Sequence, residues 1–296
     1  MRTSLTIGDI TMHRIVEDVC PFVDFLTFFP DLPPEALAEN EHWLAPLCYD
    51  PVSRKIVLTF QSYLLVTKHH KILVDTCVGN HKERPTRPMW HMQSSERYER
   101  NLAATGCSVE DIDFVCCTHL HGDHVGWNTR LDNGRWVPTF PNARYLFADR
   151  ELDYWTQRSS AEPGLWPWIN DSVLPIVEAK RHQLVTSDHQ ISEAVRFIPT
   201  PGHTIDHFSV RVTAPNQDAI ITGDMVHSPL QVRMPELGMM SDYDRALGGR
   251  TRRALFEEIA GTPTLLCAMH FPEPSIGRLK RRQTAYDFVS IDNPSA

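Results

Sequence analysis

Apolar residues fall in short runs that end in polar or glycine-containing turns, and most are too short for helices. An apolar-rich stretch at 56–66, a polar turn at 68–71 and a second run at 72–75 predict two consecutive strands. The segment 94–104 is predicted as a helix that stops at Gly106. Ser108 and Asp111 bracket a capped turn that leads into a strand at 114–118. A strand at 144–148 feeds a helix at 149–157. Further strands are expected at 195–200, 208–213 and 219–222, with the turn between the last two at 215–218, P-N-Q-D. A helix over 251–260, apolar at Ala254, Leu255 and Ile259, precedes a core strand at 264–269. Strands and helices alternate along the whole chain, which predicts an α/β (α+β) layered domain. Two segments break the pattern. Residues 21–51 mix prolines with Phe22, Phe25, Phe28, Phe29 and Trp43, and residues 155–168 carry three tryptophans around Pro163, Gly164 and Pro167. Both are expected to be irregular aromatic loops that cover a core, meet another subunit or wall a pocket.

Composition narrows the class. The chain has 296 residues, 42% hydrophobic and 22% charged, in the range of soluble globular proteins rather than disordered or fibrous ones. Its 29 Lys and Arg against 37 Asp and Glu give a net charge of −8, which argues against nucleic acid as a partner. No apolar run approaches the roughly 18 residues that a membrane span needs. The seven cysteines are an odd number and include no C-x-x-C pair, so reduced thiols are expected. The first eighteen residues lack the apolar segment and cleavage site of a secretory signal. The expected location is cytoplasmic.

The strongest chemical signal is T-H-L-H-G-D-H at 118–124. It directly follows a predicted buried strand, and Gly122 permits a tight loop. His119, His121, Asp123 and His124 can therefore converge at one strand end. Neutral imidazole and carboxylate are ligands for first-row divalent metals, and three or four per ion leave a position for water. More ligand-type residues follow apolar strands later in the chain: His203 in P-G-H, Asp224 in T-G-D, and His270 after L-L-C-A-M.

This ordered set resembles the metallo-β-lactamase superfamily, whose motifs are H-x-H-x-D-H, a downstream His, an Asp and a last His. The resemblance covers roughly residues 56–279. It implies one domain over 1–296, a four-layer αββα sandwich, with 1–55 as an N-terminal extension acting as a lid or dimer contact. It also implies two divalent ions per chain, zinc in the leading reading, with Mn, Co or Fe as alternatives. His119, His121 and His203 would hold one ion; Asp123, His124 and His270 the other, with Asp224 between them. Asp75, at the end of L-V-D, matches the family's early supporting Asp. An Asp at position 224 points away from β-lactam hydrolysis and towards lactonase, glyoxalase II and phosphotriesterase-like branches. The segments V-D-T-C-V-G-N at 74–80 with Arg84, G-D-M-V-H at 223–227 and H-F-P-E-P at 270–274 are similar to methyl-parathion-hydrolase-like enzymes and quorum-quenching lactonases. The homoserine lactonases of that subgroup carry a catalytic Tyr where this chain has His227.

The implied reaction is hydrolysis of a small-molecule substrate, a lactone or small carboxylic ester, by a metal-bridging hydroxide. Asp123 would pass a proton to the leaving alkoxide. His227 would either donate a hydrogen bond to the developing oxyanion or orient Asp224. His207 is read as a supporting or packing residue. His69, His70, His81, His91, His182 and His189 are read as surface residues, and Arg84 and Arg87 as part of a solvated loop, with contact to an anionic substrate group as the alternative. Two other activities share the ligand types: hydrolysis of an aryl phosphotriester, and persulfide oxidation at a single iron. The apolar N-terminal extension suits a homodimer.

Overall fold

The computed structural model describes residues 3–292. The chain divides into two compact units. One holds Thr3–Asp18 and Phe60–Ser187; the other holds Val19–Thr59 and the chain from Asp188 onward.

In the first unit the strands Lys71–Val74, Phe114–Cys116, Arg144–Ala148 and His182–Val185 pair in parallel, in that order. They belong to an eight-stranded sheet whose other members include Ser4–Ile7, Ile10–Asp24 and the antiparallel Lys55–Val66. Parallel strands are covered on both faces, which explains why these runs read as nearly continuous apolar sequence. Leu73, Val115, Tyr145 and Phe147 form their core with Tyr98 and Leu102 of the helix Arg97–Ala103. Leu152 and Trp155 of the helix Asp149–Ala161 join the same cluster.

The second unit carries a six-stranded sheet in the order Val195–Pro199, Phe208–Ala214, Gln217–Ile221, Leu265–Cys267, Ile276–Arg282 and Ala285–Ser290. Neighbours are antiparallel except Gln217–Ile221 and Leu265–Cys267, which run in parallel. The helix Arg245–Ile259 buries Leu255, Phe256 and Ile259 in a cluster with Ile220 and Leu266. Among the described residues no helix is long and apolar enough to cross a membrane.

The mixed α/β expectation holds, with differences in detail. Residues 21–51 are not an irregular loop. They contain the end of the strand Ile10–Asp24, a turn of helix at Phe25–Phe28 capped by the Asp24 carboxylate, and the helix Pro34–Leu44, with proline at its start. The segment 155–168 begins inside the helix Asp149–Ala161, and a wide helical turn at Ile169–Val173 follows it. The helix expected at 251–260 starts at Arg245, because Asp244 caps it by accepting the Leu247 N–H at 2.9 Å. Gly248 and Gly249 hid that start, since glycine weakens a helical signal.

Candidate metal centre

In the first unit the ligand loop leaves the carboxyl end of Phe114–Cys116, beside the end of Lys71–Val74. Asp75 follows that second strand in a left-handed conformation, φ 57°, and its N–H donates to Cys116 O at 2.9 Å. Its carboxylate, fully buried, accepts three bonds: from Thr118 N at 2.7 Å, Thr118 Oγ at 2.8 Å and His124 Nδ1 at 2.8 Å. Burial raises the carboxyl pKa, against the pull of His124. Binding His124 through Nδ1 turns Nε2 outward as the ligand atom. His119 is tied in the same way, its Nδ1 lying 3.1 Å from Thr118 Oγ. The rings of His119 and His121 are 4.6 Å apart and those of His119 and His124 4.1 Å. Asp123 Oδ2 lies 3.9 Å from His124 Nε2. This unit therefore brings its four predicted ligands and Asp75 together.

Aromatic residues brace that loop. Trp168 donates its indole N–H to Leu120 O at 2.8 Å, and its ring lies 3.3 Å from where a side chain at Gly122 would begin. The buried Glu151 accepts the Trp155 indole N–H at 2.8 Å and the Leu120 N–H at 3.3 Å. Trp155 meets the His121 ring edge-on at 5.3 Å. Glu17 secures the flanks, accepting from Val78 N at 2.8 Å, Gly79 N at 3.1 Å and Trp127 Nε1 at 2.6 Å. Burial pushes its carboxyl up to about 7.

The second unit assembles its ligands from separate strand exits. Asp224 follows Gln217–Ile221, His270 follows Leu265–Cys267, and His203 follows Val195–Pro199. The first two strands are parallel neighbours, and Thr222 N donates to Cys267 O at 3.0 Å. Three imidazoles point at the Asp224 carboxylate through Nε2: His270 at 2.9 Å, His203 at 3.1 Å and His227 at 3.1 Å. His270 Nδ1 lies 2.9 Å from Thr59 O, and His203 Nδ1 lies 2.8 Å from an Asp242 carboxylate oxygen. His207 Nε2 accepts the Asp224 N–H at 2.9 Å while its Nδ1 faces Thr200 Oγ at 2.8 Å, so this buried ring fixes the Asp224 backbone. Phe28 meets the His227 ring edge-on at 5.4 Å.

Electrostatics sort these imidazoles. Burial disfavours charge on His203, but Asp224 and Asp242 outweigh it and lift its pKa to about 9. His227 is lowered to about 4 by burial, despite Asp224, so it is neutral at physiological pH. His227 Nδ1 is buried without a hydrogen-bond partner among the described residues. Asp224, His227 and His270 offer ligand atoms within 4.8 Å of one another. Buried imidazoles converging on one carboxylate are the donor set of a first-row divalent ion, so the residues fit the implied metal.

Close backbone packing holds the His203 loop. Gly202 adopts φ +133°, and a side chain there would start 2.3 Å from the Gly248 Cα of the helix Arg245–Ile259.

Two expectations fail here. Arg84 is not in a solvated loop: it is buried and forms a two-pronged ion pair with Asp171, at 2.7 and 2.9 Å. The neighbouring Lys82 is also fully buried, bonded to Thr129 Oγ at 2.7 Å and seated over Trp136 at 3.5 Å. His69, His81 and His91 are exposed as expected, whereas His70, His182 and His189 are half-buried. Asp242 and the Arg84–Asp171 pair carry no sequence signal, because their partners are distant in the chain, and neither does the bond of Glu151 to Leu120, 31 residues away.

Comparison with known proteins agrees with this arrangement. Residues 61–270 match the family model described as the metallo-beta-lactamase superfamily. The chain belongs to this superfamily. Among curated relatives, the uncharacterized protein YobT of Bacillus subtilis is 33% identical over 43% of this chain and 52% of its own length. An N-acyl homoserine lactonase from Bacillus sp. is 26% identical over 51% of this chain and 56% of its own length. The chain thus spans about half the length of these relatives. Among solved structures, the hydrolase AbOPH of the beta lactamase superfamily aligns with TM-score 0.81 and 23% identity, covering 97% of this chain and 96% of that one. AidC, a dizinc quorum-quenching lactonase, aligns with TM-score 0.77 and 19% identity, covering 97% and 96%. These likenesses show that the metallo-beta-lactamase fold extends over nearly the whole chain.

Proposed function

We propose that the protein is a binuclear metal-dependent hydrolase that opens a lactone or cleaves a small carboxylic ester, with both units forming one catalytic domain. The observation that carries this reading is the Asp224 carboxylate facing three imidazole Nε2 atoms within 3.1 Å. The lactonases among its relatives support the substrate class. His119, His121 and His203 would hold one ion and Asp123, His124 and His270 the other, with Asp224 available to either. When bound, the ions supply a Lewis acid and a water of lowered pKa.

The chain's own residues do the rest. Asp123 accepts a proton from the attacking water and passes it to the leaving alkoxide as the acyl–oxygen bond breaks. His227, neutral and 3.1 Å from Asp224 Oδ2, donates its Nε2 hydrogen to that oxygen and orients the carboxylate, which favours the orienting role over an oxyanion donor. Phe28, edge-on against His227, packs that ring in place. Aryl phosphotriester hydrolysis is the second reading, which the aromatic residues of 21–51 and 155–168 suit. Cysteine usage supports a cytoplasmic location for the reaction.

The deciding experiment is metal content by plasma mass spectrometry, with lactone, aryl ester and phosphotriester panels on the same preparation. About two zinc ions per chain and turnover abolished by His121→Ala are expected. A single iron without hydrolysis overturns the reading in favour of persulfide oxidation.

A further inference from the structure

The His203 loop is fixed at every level by a segment nearly forty residues later. Tyr243 N donates to His203 O at 2.9 Å and Asp244 N to Gly202 O at 2.9 Å. Thr251 Oγ donates to Pro201 O at 2.8 Å. The Asp242 side chain, only 1% exposed, splits its two oxygens: Oδ1 faces His203 Nδ1 at 2.8 Å, and Oδ2 accepts the Met239 N–H at 2.8 Å. The segment that presents Asp242 is itself rigid. Arg252, fully buried on the helix Arg245–Ile259, donates to Pro235 O, Leu237 O and Met225 O at 2.6, 3.0 and 2.7 Å. Gln231 adds a bond to Leu237 O at 2.8 Å. One buried guanidinium thus ties the turn after Asp224 to the segment that leads to Asp242.

We infer that Asp242 is a positioning residue for metal binding: it holds His203 through Nδ1 and so commits Nε2 to the ion. This rests on the proposed binuclear reading. The geometry does for His203 what Asp75 does for His124, and the two carboxylates lie at comparable distances from their imidazoles, 2.8 Å each. A carboxylate behind a ligating imidazole fixes the ring's tautomer and orientation and raises its basicity. Asn at position 242 keeps the shape but not the function. It has one acceptor oxygen for two donors, so either His203 or the Met239 N–H loses its partner.

The test titrates zinc into the metal-free full-length chain against a chromophoric chelator. It compares the parent with Asp242→Asn and with Asp244→Ala, which removes the helix cap from the same segment without touching His203. The expected result is that one of two zinc sites weakens by about 10- to 100-fold in Asp242→Asn. Asp244→Ala should stay within about twofold of the parent. Equal weakening by both variants reduces Asp242 to loop scaffolding and overturns the inference, as does parental affinity in Asp242→Asn. A parent that binds no zinc pair overturns the functional reading instead. Long-range ¹H–¹⁵N NMR of the zinc-loaded parent tests the point without any variant. A slowly exchanging proton on His203 Nδ1 is expected, and zinc coordination through Nδ1 refutes the role.

Discussion

The two ligand sets solve one problem in opposite ways. In the first unit the four proposed ligands lie within the six residues from His119 to His124, so a single strand exit delivers them and one carboxylate, Asp75, secures the loop at both ends through Thr118 and His124. In the second unit His203, Asp224 and His270 leave three different strands, and each needs its own restraint: Asp242, His207 and Thr59 O respectively. A contiguous loop concentrates its dependence on one residue. A dispersed set spreads it over tertiary contacts.

That contrast predicts a ranking. Asp75→Ala strips three donors of a buried acceptor and should cost about 3–5 kcal/mol in urea unfolding of the metal-free chain, against about 2 kcal/mol for Asp242→Ala, which strips two. The reverse order breaks the comparison. Next in size is a pH effect at Glu17. Its carboxyl is raised to about 7, so the folded state prefers it protonated. The stability it contributes is complete below the unfolded value, near 4.5, and is lost as pH rises through about 7. The shift is worth about 3 kcal/mol. Chemical denaturation across this window should show that slope in the parent and its loss in Glu17→Gln. An unchanged slope rules out Glu17 as its source. The smallest effect is expected for Trp168→Phe, which keeps an aromatic ring on Gly122 but deletes the bond to Leu120 O. It should cost about 1 kcal/mol and leave the second unit's ligands untouched.

How far these features can be read from sequence follows the same division. The loop at 118–124 declares itself because its ligands are neighbours in the chain. The parallel strands declare themselves because both faces are buried and the runs are apolar throughout. The strand Ile10–Asp24 stays hidden for the opposite reason. Its inward positions include Arg14, bonded to Gln61 at 2.8 Å, and Glu17, so buried charge interrupts the alternation that marks a strand. The final hairpin, Ile276–Arg282 with Ala285–Ser290, lies at a sheet edge and carries arginines and lysine on exposed positions. Asp242 is the clearest omission. D-Y-D before a helix reads as a cap, and Asp244 is one, while its neighbour's partner lies 39 residues away.

The contact of Gly202 with Gly248 has a practical meaning for anyone who wishes to re-engineer this protein. Backbone meets backbone there: a side chain at Gly202 would start 2.3 Å from Gly248, whereas a methyl at Gly248 would meet only ordinary contacts at 3.7–3.8 Å. A saturation library at Gly202 would consist mainly of chains that misplace His203. Diversity is better placed at Tyr243, which is 54% exposed and whose backbone N–H holds His203 O whatever the side chain. In that sense the protein separates the part of the loop that must be inherited unchanged from the part that selection is free to rewrite.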